Sequence, residues 1–182
     1  MLAEEPLAYP EEDDLPESTS RVHLAWGIKG MRYSKGGYLN PYADSKGSAD
    51  FDSSFEAHKA QEAMVEACAA AEARDDLVYG STRCIMRDFK RWVAPLTTFP
   101  VDEEQFNDLL ATFIYLSDGT YNRDVGFVAE EDGRIGISYV RAGEFVSTMR
   151  EPMAVGTSRD YYNEWDDLMS EVDAKAPKGG KG

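Results

Sequence analysis

The chain has 182 residues, which suits one domain, and its 42% hydrophobic and 12% aromatic content supplies a core that disordered chains lack. With 34 acidic residues against 19 basic ones, its formal net charge of −15 repels nucleic-acid phosphates and anionic membrane surfaces. No segment approaches the roughly 20 apolar residues of a membrane span, and the acidic start (Glu4, Glu5, Glu11, Glu12, Asp13, Asp14) is the opposite of a basic signal-peptide start.

Residues 1–20 carry Pro6, Pro10 and Pro16 among acids without an apolar period, and read as a mobile lead-in. Val22, Leu24, Trp26 and Ile28 fall on one side at period two, which predicts a strand with one apolar face. Gly27, Gly30, Gly36 and Gly37 break that pattern, and a loop is expected to about Ser54. Tyr33, Tyr38 and Tyr42 lie in this glycine-rich loop without a period and form a candidate contact surface.

Ser53 or Ser54 is suited to cap a helix running to about Arg74, with Ala60, Met64, Ala67, Cys68 and Ala71 along its seam. Leu77 to Tyr79 reads as a short strand, and Cys84 to Val93 as a short helix or turn. Beyond Pro100, Asp102, Glu103 and Glu104 place negative charge in a helix first turn, and Phe106, Leu109, Leu110, Phe113 and Ile114 give that helix a buried face. Val125–Glu130 and Arg134–Val140 flank Asp132-Gly133, a hairpin turn signal. A last helix starts near Thr157 or Ser158 with Tyr161, Trp165, Leu168 and Val172 as its seam. Residues 176–182 read as a flexible tail or linker.

The order of these elements predicts an α+β fold: a ferredoxin-like split βαβ core over residues 21–175, with a β-hairpin and an additional C-terminal helix.

Sites of chemistry are sparse. His23 and His58 lack ligand spacing, and two cysteines with two distant histidines do not make a four-ligand zinc site. Nucleotide-cradling glycine motifs and a nucleophile elbow are absent. Asp75-Asp76, Glu130-Glu131 and Asp166-Asp167 are adjacent acids that point apart and read as solvated faces. The expectation is a non-catalytic domain without cofactor or metal. Cys68 and Cys84 allow one disulfide, with two buried thiols the default on composition.

A series of short landmarks resembles the extracytosolic domains of the Dispatched, Patched and Niemann–Pick type C group of resistance-nodulation-division transporters. It runs from Val22-His23-Leu24-Ala25-Trp26-Gly27-Ile28-Lys29-Gly30 through Leu39-Asn40-Pro41 and Asp52-Ser53-Ser54-Phe55 to Ala60-Gln61 and Cys68. It continues through Cys84-Ile85-Met86-Arg87-Asp88-Phe89-Lys90-Arg91-Trp92, Phe99-Pro100, Phe106, Leu109, the Asp132-Gly133 hairpin and the final helix. The family's membrane helices and their ion-coupling acids are absent from this chain.

The resemblance implies a ferredoxin-like domain on the extracellular or lumenal side of a larger membrane protein. Its implied partners are a sister ectodomain, the transmembrane part, and a lipid, sterol or lipidated protein. It also implies that Cys68 and Cys84 pair; a loop of that length contributes roughly 3 kcal/mol. A protein-interaction module using the tyrosine loop and a small carboxylate-based hydrolase are the alternatives.

Overall fold

The structure, a computed structural model, describes residues 19–32, 48–130, 133–150 and 155–176. Most of the predicted lead-in, the tyrosines Tyr33, Tyr38 and Tyr42, Leu39-Asn40-Pro41, Asp132 and the tail past Ala176 lie outside these residues.

Strand β1 (Thr19–Trp26) forms where alternation predicts it. Leu24 and Trp26 are buried, Val22 packs against them, and Arg21, His23 and Ala25 take the other face. Ile28 does not continue that apolar face. Gly27 turns the chain at φ 82°, and the next residues open a second strand, β2 (Ile28–Arg32). Strand β2 pairs antiparallel with β3 (Ser48–Phe51), so part of the expected loop is a small two-stranded sheet.

Neither Ser53 nor Ser54 caps the first helix. Asp52 Oδ1 instead accepts hydrogen bonds from the Ser54 amide (2.9 Å) and hydroxyl (2.7 Å), closing a local turn. Winding starts as a 3-10 turn at Ala57–Ala60 and continues as α1 (Gln61–Glu72). Met64, Ala67, Cys68 and Ala71 are buried along it, as their spacing predicts, as is Ala60 on the 3-10 turn; Ala63 is buried beside them. These small side chains let α1 approach the sheet: Cys68 Sγ lies 3.3 Å from where a Cβ on Gly143 would sit.

The short strand expected near Tyr79 is longer, β4 (Val78–Cys84), and passes directly into α2 (Ile85–Val93). Helix α3 (Glu103–Leu116) buries Phe106, Leu110, Phe113 and Ile114, with Leu109 half-buried beside them. Phe89 of α2 meets Phe106 and Phe113 edge-on at 5.8 and 5.7 Å. Gln61, fully buried at the start of α1, holds the segment ahead of α3. Its amide donates to the Val101 carbonyl (2.7 Å) and its oxygen accepts from the Val101 N–H (2.9 Å).

Strands β5 (Val125–Ala129) and β6 (Ile135–Arg150) form the expected hairpin, with Gly133 at φ 84°. Strand β6 runs 16 residues, well past Val140, and is the centre of the sheet. Val140 lies opposite both Trp26 and Val125, so β1 occupies one edge of β6, and β5 and β4 share the other. Strands β1 and β4 are both antiparallel to β6 and thus parallel to each other, with α1 as their crossover. This is a split βαβ core within an α+β fold. Among the described residues, no strand pairs with the outer edge of β1.

Helix α4 (Val155–Lys175) closes the core with Tyr161, Trp165, Leu168 and Val172, the predicted seam. The Tyr161 hydroxyl donates to the Leu77 carbonyl (2.8 Å) and shares a 2.6 Å hydrogen bond with Ser147 Oγ.

Candidate functional site

Charged residues distant in sequence meet on the sheet face turned away from α1 and α4. Glu144 of β6 lies opposite His23 of β1 and Arg83 of β4, so the three form one row across the sheet. Two irregularities in strand register complete the group. Between Leu24 and Ala25 of β1 the facing residue on β6 steps from Gly143 to Arg141, leaving Ala142 as an extra residue. Between Ser81 and Arg83 of β4 the partner moves only from Phe145 to Glu144, leaving Thr82 as another. Each bulge reverses the alternation beyond it, bringing Arg141 and Arg83 onto the face of Glu144.

The charges alternate. Arg21 Nη1 and Arg83 Nη2 donate to the two carboxylate oxygens of Glu144, each at 2.5 Å. Arg83 Nη1 donates to the Thr120 carbonyl (2.8 Å), and its Nη2 is 3.9 Å from Asp124 Oδ1. Arg141 Nε donates to Asp124 Oδ1 at 2.6 Å, and its Nη2 also meets that oxygen. Both carboxylates are buried, and the guanidinium groups lie partly open above them.

Burial pushes the Glu144 carboxyl up, but hydrogen bonds from Arg83 and Arg21 outweigh it and hold Glu144 below its ordinary range. Burial lowers Arg83 while the bond to Glu144 raises it, with a net upward shift. His23, exposed at the cleft edge with Nδ1 3.9 Å from Glu144, is lowered first by partial desolvation and second by the Arg141 charge. Arg21, His23, Arg83, Arg141 and the 119–123 turn between α3 and β5 line an open cleft of about 900 Å³.

Sequence reasoning places His23 on the face opposite Trp26, and the structure does the same. It does not single out Arg21, Arg83, Asp124, Arg141 or Glu144, which lie up to 123 residues apart. The available signal is the charged Arg141 and Glu144 inside a stretch otherwise rich in small and apolar residues. Asp75, Asp76, Asp166 and Asp167 are exposed, and do not join the cleft.

Cys68 and Cys84 form a disulfide, as the family resemblance implies, in place of the composition default of free thiols. Their Cα atoms are 6.3 Å apart, and the bond joins the middle of α1 to the end of β4. Nearby, Arg87 Nη1 bonds both carboxylate oxygens of Glu72, at 2.7 and 2.8 Å, tying α2 to the last turn of α1.

Among the described residues, no group of three or more His, Cys, Asp or Glu side chains is arranged to hold a metal ion. Among the same residues no helix is long and apolar enough to cross a membrane. Neither a protein-family model nor a curated protein matches the chain.

Proposed function

We propose that residues 21–175 form an extracytosolic domain of a Dispatched/Patched-like resistance-nodulation-division transporter, acting through contacts rather than catalysis. The observation that carries this reading is the Cys68–Cys84 disulfide inside a split βαβ core. Structural disulfides persist in oxidising compartments, so the bond favours a lumenal or extracellular setting. The landmark series supports the family: its Trp26-Gly27 turn, Cys68 helix and Cys84 helix start fall at element boundaries or seams of one core.

The cleft's chemistry favours binding over turnover. A carboxylate that two arginines hold ionised is a weak general acid, because catalysis at neutral pH needs a carboxyl raised toward 7. In this reading the partners are a sister ectodomain, the transmembrane part, and a lipid, sterol or lipidated protein.

The reading frame that encodes these residues is expected to contain apolar segments of about 20 residues on both sides. Synthesised with sealed microsomes, the segment is expected to resist added protease until detergent opens the vesicles, and to present no free thiol. Cleavage without detergent, together with two reactive thiols, rejects the proposal.

A further inference from the structure

We infer that the cleft above Glu144 is a binding site for a phosphate-type anion. Four arginines converge on it, Arg21, Arg83, Arg123 and Arg141, in a chain whose net charge is −15. Among the described residues two carboxylates face them, Glu144 on the cleft wall and Asp124 bonded to Arg141. A phosphate monoester carries about −1.5 to −2 charges at neutral pH and draws more from clustered guanidinium groups than an acetate-like carboxylate, which carries one.

Each guanidinium has five N–H groups in a planar fork, and Arg83 and Arg141 use only some of theirs on Glu144, Thr120 and Asp124. Arg123 makes no ion pair among the described residues and sits exposed on the turn that forms the cleft rim. The buried carboxylates fix Arg83 and Arg141 in place, so a ligand meets forks that are already ordered. Arginine forks suit phosphate oxygens, which accept two parallel N–H bonds. The volume of about 900 Å³ leaves room for an organic group behind the phosphate. Two separate bulges put arginines on this face, although a regular register would send both to the core side.

The test is a titration of the 182-residue chain with inorganic phosphate at constant ionic strength, followed by NMR of arginine Nε–H groups and backbone amides. Saturating shifts at Arg83, Arg141 and the 119–123 turn are expected, and Arg123→Gln is expected to weaken binding about tenfold. Lys29→Gln, an exposed charge outside the cleft, is expected to leave it unchanged. Acetate is expected to shift these signals much less. Dihexanoyl phosphatidic acid distinguishes the sources: tighter binding than inorganic phosphate assigns a lipid headgroup, and equal affinity assigns a free phosphate. Shifts that do not saturate, an equal response to acetate, or an Arg123→Gln chain with unchanged affinity overturns the inference.

Discussion

Gly27 joins the two sheets at φ 82°, where a Cβ would meet the Ser138 carbonyl oxygen at 2.5 Å and the Phe55 ring at 2.6 Å. The first obstacle is backbone and does not swing aside. Gly27→Ala therefore combines left-handed strain with a clash, and is expected to destabilise by at least about 2 kcal/mol. A denaturant midpoint equal to wild type contradicts this account. The ionisable pair across the cleft predicts how stability follows pH. His23 is lowered from 6.5, so the folded chain binds its proton less readily than the unfolded one. Its contribution is complete above 6.5 and is lost as pH falls through its lower folded value. Glu144 is lowered from 4.5, so its contribution is complete above 4.5 and disappears as pH falls through its folded value. Urea midpoints measured across this range are expected to fall in two stages. His23→Gln should abolish the earlier stage and keep the later one; an unchanged first stage assigns it to another group.

At the scale of elements, a single buried amide fastens one helix to the approach of another. Gln61 satisfies both backbone groups of Val101, which is itself buried. Gln61→Leu fills similar space but leaves a buried N–H and C=O without partners, and is expected to cost about 2–3 kcal/mol. Chemical denaturation reads that loss, and Gln61→Leu matching wild type would show that water replaces the amide. Which elements were legible in the chain follows from their packing. Strand β1 and helices α1, α3 and α4 each bury one face, so their periods are visible in Val22–Trp26, Met64–Ala71, Phe106–Ile114 and Tyr161–Val172. The second half of β6 is central, and a bulge at Ala142 breaks its period, so Ala142 to Glu144 shows no alternation. Strands β2 and β3 are short and glycine- or serine-bearing, and their pairing is hidden across the 15 residues that separate them in sequence. The charged cleft was illegible for a related reason. Its residues are brought together by strand register and two bulges, neither of which leaves a local spacing in the sequence.

For the whole molecule, the Cys68–Cys84 bond closes a loop of 16 residues that includes the crossover from α1 into β4. Restricting the unfolded chain by such a loop stabilises the fold by about 3 kcal/mol. Reduction with dithiothreitol, or Cys68→Ser with Cys84→Ser, is expected to lower the unfolding free energy by that amount, read as a lower denaturant midpoint. The unreduced, denatured chain is expected to show no titratable thiol. A reduced protein with an unchanged midpoint removes the disulfide as a structural support.

The same bond also governs how the domain responds to tension. A pull applied through β1 at one end and α4 at the other cannot extend the stretch between Cys68 and Cys84 while the sulfurs are joined. At about 3.5 Å per extended residue, roughly 55 Å of contour stays hidden until the bond is cut. The oxidised domain is thus a shorter tether than its sequence length implies, and the redox state of its surroundings sets its reach.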